Sequence, residues 1–144
     1  ADMSLITDIA DAVAADLNAG SFSLPFTAVR RYVPRFNLQE METLRVSVVP
    51  KGLTITTASR KEDQHDVRVD VGVQKKFDQG DNAELDPLMA LVEEIADHFR
   101  SRRLDTTPVA TCVAVENAPI YAQEHFAERR LFTSVVTLTF RCWR

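Results

Sequence analysis

A long amphipathic segment near the middle of the chain, Asp81 to Arg103, restricts the fold more than any other feature of the sequence. Its apolar residues recur at steps of three and four, at Leu85, Leu88, Val92, Ile95 and Phe99. A stripe of this width is typical of a helix that packs onto a sheet. Pro87 lacks an N–H and fits best in a first helical turn, so the helix is predicted to begin near Ala83 or Glu84.

Most of the remaining chain has the pattern of strands that such a helix could cover. The alternation is clearest where four valines are separated by polar residues or glycine, at Val67, Val69, Val71 and Val73. This pattern predicts a strand with one buried face and one polar face. The other predicted strands are Phe26 to Phe36, Leu44 to Val49, Leu53 to Ala58, Val109 to Glu116 and Phe132 to Trp143. Pro50-Lys51-Gly52 predicts a turn.

The segment from Ser4 to Asn18 is predicted to be a second helix, because apolar residues recur at every fourth position. Strands and helices do not alternate along the chain as they do in parallel βαβ units. The predicted fold is therefore α+β, with a mostly antiparallel sheet of about six strands and two helices packed on one face. Its 144 residues suit a single domain with one core, spanning residues 1–144.

Composition and charge exclude several classes of function. The formal net charge is −4, which disfavours binding dominated by nucleic-acid phosphates. No apolar run approaches the roughly 20 residues needed to cross a bilayer, so no membrane association is predicted. The N-terminal segment carries acidic residues where a secretory signal carries positive charge. Cys112 and Cys142 match no metal motif and are expected to be buried thiols in a reducing compartment.

Catalytic motifs are absent from the sequence. With four glycines in all, the chain has neither a dinucleotide-binding fingerprint nor a phosphate-binding loop, and it has no nucleophile elbow. His65, His98 and His125 are isolated from one another. No catalytic residue, cofactor or metal site is predicted, and the chain is not expected to be an enzyme. A small-molecule-binding module, or an enzyme using His125 and nearby acids, stays open as the less favoured alternative.

Two connecting segments are the candidate sites of function. The charged segment Ser59 to Asp66 is predicted to be a protruding mobile loop. The segment Asn117 to Leu131 is long for a compact domain and mixes aromatic with charged residues, which suits partner docking. The candidate partner-interface residues are Arg60, Lys61, His65, Ile120, Tyr121, His125, Phe126, Arg129 and Arg130. An equally weighted alternative is that the apolar members of the second segment fold back onto the sheet.

Several phrases of the sequence together resemble those of a known group. They are the ITDIADAV helix, FTAVRRYVPRF, LRVSVVPKGLTIT, DVRVDVGVQKKF, NAELDPLMALVEEIADHF and the final FTSVVTLTFR strand. This pattern is similar to small virion morphogenesis proteins of tailed bacteriophages and prophages, especially the tail-terminator and minor-tail group involved in head–tail joining. The resemblance covers nearly the whole chain, but it carries over no individual functional residues.

The resemblance implies an α+β subunit of a homo-oligomeric, hexameric ring in the virion, at the tail or neck, assembled in the cytoplasm of the host bacterium. Such a ring binds the last ring of tail tube protein, stops tube polymerisation and presents a docking surface to the head–tail connector or neck protein. DNA would pass through the ring without sequence-specific binding, and an acidic or neutral lumen would let it slide. Another neck or head-completion connector protein is the alternative within the same class.

Overall fold

A computed structural model describes residues 4–32, 43–106, 108–117, 127 and 130–144 of the chain. In chain order the elements are α1 (Leu5–Ala19), β1 (Ala28–Arg30), β2 (Arg45–Thr57), β3 (Asp63–Lys76), α2 (Asn82–Phe99), β4 (Arg103–Leu104), β5 (Ala110–Glu116) and β6 (Leu131–Trp143). The strands form one curled sheet in the order β1-β2-β3-β6-β5-β4. All neighbouring pairs are antiparallel except β1 and β2, which are parallel. The α+β class, with two helices packed against a mostly antiparallel sheet, is confirmed.

The centre of the sheet is the pair formed by β3 and β6, whose register is regular from Gln64 opposite Trp143 to Lys76 opposite Leu131. The four alternating valines of β3 are fully buried. Opposite them on β6, the same face carries Phe140, Leu138, Val136 and Ser134. Both helices lay their apolar stripes on this face, and Phe99 of α2 meets the Phe140 ring edge-on at a centroid distance of 6.2 Å. The central valine pattern thus identified the buried face of the sheet correctly.

Strand β2 replaces two strands that the sequence predicts separately. The ladder with β3 continues through Pro50 and Gly52, and its register shifts there by one residue, so that Lys51 is the extra residue of a β-bulge. Pro50 pairs with Val69, a residue whose backbone groups point towards β6. The missing N–H of Pro50 would therefore have pointed away from β3, and no ladder hydrogen bond is lost. The predicted turn is wrong for this reason, and the result is one long hairpin.

Strand β1 is much shorter than the predicted Phe26 to Phe36. It pairs only with residues 46–48 of β2, and residues 33–42 are outside the described part of the chain. The side-chain amide of Asn18 holds the start of β1 by accepting from Ala28 N (2.7 Å) and donating to Ala28 O (3.0 Å). This pair of bonds imitates a strand partner and ties β1 to the end of α1.

Helix α2 begins at Asn82, earlier than predicted, because Asp81 serves as its N-cap and accepts from Glu84 N at 3.0 Å. The Glu84 carboxylate in turn accepts from the backbone N–H groups of Asp78, Gln79 and Gly80. These bonds lower the pKa of Glu84, with the bond from Asp78 contributing most. Pro87 consequently lies in the second turn. It leaves the carbonyl of the exposed Ala83 without a helical donor, and water can replace that donor.

Candidate functional site

The β2–β3 hairpin carries the first group of predicted interface residues. Arg60 and Lys61 are exposed at its tip. The tip is an ordered turn, because the Ser59 hydroxyl accepts from Lys61 N and Glu62 N, and Glu62 O accepts from Ser59 N at 3.0 Å. The predicted mobile loop from Ser59 to Asp66 is wrong in its second half, since β3 already begins at Asp63.

His65 is not a surface residue. Its side chain points to the helix-bearing face, in register between Ile55 on β2 and Cys142 on β6. It is only 6% exposed, and its Nδ1 atom is buried without a hydrogen-bond partner in the described part of the chain. The sequence contained a signal for this position, because His65 continues the alternation of the buried valines that follow it. His65 is therefore part of the packed sheet face, and its proposed contact with a partner stays a prediction.

The second predicted segment lies mostly outside the described residues. Ile120, Tyr121, His125, Phe126 and Arg129 all belong to that part of the chain, so their proposed docking role stays a prediction. Arg130 is described and is exposed. Its guanidinium donates to Asp78 O at 3.0 Å, and its carbonyl accepts from Phe77 N at 2.9 Å. Arg130 thus closes the end of the β3–β6 ladder.

The outer edge of β2 is the feature that the sequence did not reveal. Hydrogen bonds between Asp63 and Arg144 at one end of β3, and from Phe77 N to Arg130 O at the other, show that odd-numbered residues of β3 direct their backbone groups to β6. In an antiparallel ladder the facing residues of β2 then direct theirs outward. Those residues are Leu53, Ile55 and Thr57. The distal half of β2 is therefore an edge with outward N–H and C=O groups.

This edge has no partner strand in the described part of the chain, because β1 covers β2 only as far as Val48. It also carries apolar side chains on the helix-bearing face, beyond the reach of the helices. Leu53 is 38% exposed and Ile55 is 54% exposed. An uncharged, β-branched edge of this kind is a template for pairing with another strand, and native proteins normally cover it. The run Leu53 to Ala58 contains no charge or proline, which is the signal that could have identified it.

A second free edge lies on the opposite side of the sheet. Two-residue β4 pairs with β5 only at Ala110 and Thr111, and Cys112 N donates to Arg102 O at 2.8 Å. Beyond that point, residues 113–116 of β5 have no outer partner among the described residues. Val113 is 46% exposed at a β-bulge in this segment.

The polar face of the sheet is held by paired charges. Arg141 donates to both carboxylate oxygens of Asp66, at 2.8 and 3.2 Å. This hydrogen bonding is the main reason that the pKa of Asp66 is lowered. Asp70 accepts from the Thr137 hydroxyl at 2.7 Å and lies 3.7 Å from Lys51 Nζ. These two carboxylates are therefore engaged by neighbouring side chains.

A polar cluster joins the ends of the two helices. Asp16 of α1 accepts from Arg102 at 2.5 and 2.9 Å, and His98 Nε2 lies 3.4 Å from its carboxylate. A cavity of about 390 Å³ opens beside this cluster, against Leu104. The hydrogen bonds that Arg102 donates to Asp16 raise the pKa of Arg102. Because the carboxylate is already neutralised by a guanidinium, the cluster is a structural tie between helices.

Other kinds of site receive no support from the described residues. Within them, no three His, Cys, Asp or Glu side chains lie close enough together to share a metal ion. Burial raises the pKa of both cysteine thiols, Cys112 and Cys142, which are free and buried. Neither described helix is long and apolar enough to cross a membrane.

Comparison with known proteins gives a similarity in structure and no match in sequence. No protein-family model matches the sequence, and no curated protein matches it in sequence. The fold is similar to that of a chain in a solved structure of the virion of a native gene transfer agent (GTA) particle, with a TM-score of 0.58. The similarity covers 97% of this chain and 96% of that chain at 13% sequence identity. At this identity the likeness establishes a shared fold, and it extends over nearly the full length of both chains.

Proposed function

We propose that this chain is a structural protein of a tailed, phage-like virion. The single observation that carries the proposal is the full-length fold similarity to a chain of a GTA virion. The surface supports it, because two sheet edges without a partner strand among the described residues suit a protein that is completed by its neighbours. The carboxylates of Asp16, Asp66 and Glu84 are held in ion pairs or backbone hydrogen bonds, which suits a structural role.

Within that class, we propose the role of tail terminator. Subunits would close into a hexameric ring at the neck end of the tail, bind the last ring of tail tube protein, stop its polymerisation and present a surface for the head–tail connector. DNA would pass through the ring without base-specific contacts, as suits a chain with a net charge of −4. The exposed hairpin tip with Arg60 and Lys61, and the predicted segment containing Tyr121 and Phe126, are the proposed docking surfaces.

The first experiment determines the assembled state. Light scattering and negative-stain imaging of the purified chain, alone and with tail tube protein, should give rings with six times the mass of the 16.2 kDa chain. A dodecamer would instead support a connector. A chain that stays monomeric alone and on tubes would contradict every ring-forming role.

The second experiment separates a terminator from other neck proteins. Deleting the gene in the organism that encodes it should give tubes of uncontrolled length after particle production is induced, because nothing caps the growing end. Tubes of normal length that fail to join heads would favour a connector or head-completion protein. Normal, infectious or transducing particles would contradict both.

A further inference from the structure

We propose that the distal edge of β2 in one subunit pairs, antiparallel, with the free edge of β5 in a second copy of this chain, so that one sheet continues into the next. This inference rests on the proposed function, since it specifies how neighbouring subunits would join. It places residues 52–54 of one copy opposite residues 114–116 of the other, beyond the β-bulge at Val113. Four independent features of the described residues agree with this pairing.

The first feature is strand direction. Successive antiparallel pairs run from β2 through β3 and β6 to β5, so β2 and β5 run in opposite directions at the two sides of the same sheet. If a second copy continues the sheet in the same orientation, its β5 meets β2 antiparallel. Antiparallel pairs are slightly more stable per residue than parallel ones.

The second feature is the direction of the backbone hydrogen-bonding groups. Leu53 and Ile55 direct theirs outward, as the ladder with β3 requires. On β5, Cys112 N donates outward to Arg102 O, and the alternation of the β5–β6 ladder gives Val115 the same outward direction. Leu53 and Val115 of the neighbour can therefore form a hydrogen-bonded pair, exchanging two backbone bonds.

The third feature is the side-chain face. Leu53 is in register with Val67, and Val115 is in register with Leu138. Both partners belong to the helix-bearing face, so Leu53 and Val115 of the neighbour would lie side by side on one face. This contact would bury part of Leu53, which is 38% exposed in the single subunit.

The fourth feature is charge. With Leu53 opposite Val115, Gly52 lies opposite Glu116 of the neighbouring copy. The Arg68 side chain lies across Gly52, and a β-carbon added to Gly52 would stand 2.9 Å from the Nη2 atom of Arg68. Arg68 and Glu116 are both exposed, and neither side chain has a hydrogen bond or ion pair within the described residues. The pairing would bring this guanidinium to this carboxylate on the polar face.

The geometry also explains why the contact is staggered. Within one subunit, the register across β3 and β6 places Leu53 of β2 at the same height in the sheet as Cys112 of β5. At Cys112, however, β4 already occupies the outer edge of β5. The neighbour must shift by about three residues, roughly 10 Å along the strands. Pairing one edge with a different edge is a heterologous contact, which generates rings when the rotation closes. Stagger with tilted strands is how a sheet closes on itself.

Disulfide trapping tests the register directly. Thr54 and Ala114 of the neighbour would form a non-hydrogen-bonded pair with Cα atoms about 4.5 Å apart, within disulfide range. A variant with Thr54→Cys and Ala114→Cys should give a ladder of covalent multimers on a non-reducing gel across a concentration series. The matched control, Thr56→Cys with Ala114→Cys, is displaced by two residues and should give at least tenfold less product. Burial keeps Cys112 and Cys142 from reacting.

Charge exchange gives an independent test. Arg68→Glu and Glu116→Arg should each raise the concentration needed for assembly about tenfold, and the double variant should restore it. Arg100→Glu, which changes an exposed cation away from the proposed pair and from the proposed docking surfaces, is the control. Multimers from Thr54→Cys alone would indicate two-fold pairing of β2 with itself and would overturn the inference.

The outcomes separate this inference from the proposed function. Rings seen by imaging, without cross-links between positions 54 and 114 and without a charge effect, would overturn the edge pairing and leave the ring-forming role intact. Cross-linking of position 54 to a different protein would also overturn it. Trapped ladders together with tubes of normal length after gene deletion would support the pairing and contradict the terminator role.

Discussion

Gly80, which leads into α2, provides the sharpest test of the fold. It has φ +72°, in the left-handed region, and an added β-carbon would stand 2.9 Å from a ring carbon of Phe77. Gly80→Ala therefore carries a backbone cost of about 1–2 kcal/mol and a packing cost of about 1 kcal/mol. Reduced freedom of the unfolded chain offsets about 0.4–1 kcal/mol of this. We expect a net loss of about 2 kcal/mol.

A second substitution at the same position separates the two contributions. Asparagine tolerates the left-handed conformation better than alanine does, but its β-carbon meets Phe77 in the same way. Gly80→Asn should therefore be more stable than Gly80→Ala by about 1 kcal/mol and still less stable than the parent. Gly52→Ala is the matched control, because the added carbon meets only the mobile end of the exposed Arg68.

Urea denaturation followed by circular dichroism measures these differences. In thermal unfolding of a chain of this size, a loss of 2 kcal/mol corresponds to a fall in Tm of roughly 4–8 °C. Gly52→Ala should stay within about 0.5 kcal/mol of the parent. If Gly80→Ala proves as stable as the parent, the turn does not need glycine. If alanine and asparagine are equally destabilising, the cost arises from packing against Phe77 and not from the backbone.

Three further predictions concern single side chains. Ser47→Ala should raise the free energy of unfolding by about 1 kcal/mol in urea titrations, because its fully buried Oγ has no hydrogen-bond partner among the described residues; a loss of stability would show that the hydroxyl is satisfied. Hydrogen bonding from Arg141 lowers the pKa of Asp66. The ionised Asp66 carboxylate therefore contributes its full stabilisation above the ordinary aspartate pKa. This stabilisation is lost as pH falls through the lower pKa of the folded state. Asp66→Asn should therefore lower the urea midpoint at pH 7 more than at the acidic end of a pH series, and an equal loss at all pH values would refute this. Asn18→Ala should lower stability by about 1 kcal/mol through loss of both bonds to Ala28, and unchanged hydrogen exchange at Ala28 would contradict that role.

The limits of sequence reasoning are clearest in β2 and its neighbours. Pro50-Lys51-Gly52 has the composition of a turn, and composition alone does not reveal which way the proline nitrogen points. That direction depends on pairing with β3, where the position opposite Val69 directs the nitrogen outward. His65 shows the opposite case, since it continues the valine alternation but its charged neighbours indicated a loop. Its burial follows from β6 extending alongside it to Trp143.

The sequence by itself determined the α+β class, the two helices and the buried face of the central strands. Those properties follow from periodicity, because a side chain's direction in a helix or strand is fixed by its position along the same element. Only the tertiary structure decided that β2 is one strand, which of its backbone groups point outward, and that Arg68 lies across Gly52. These properties depend on register between segments distant in the chain, and a one-residue change in register would reverse every face. The candidate interface is therefore a property of the assembled sheet and its edges.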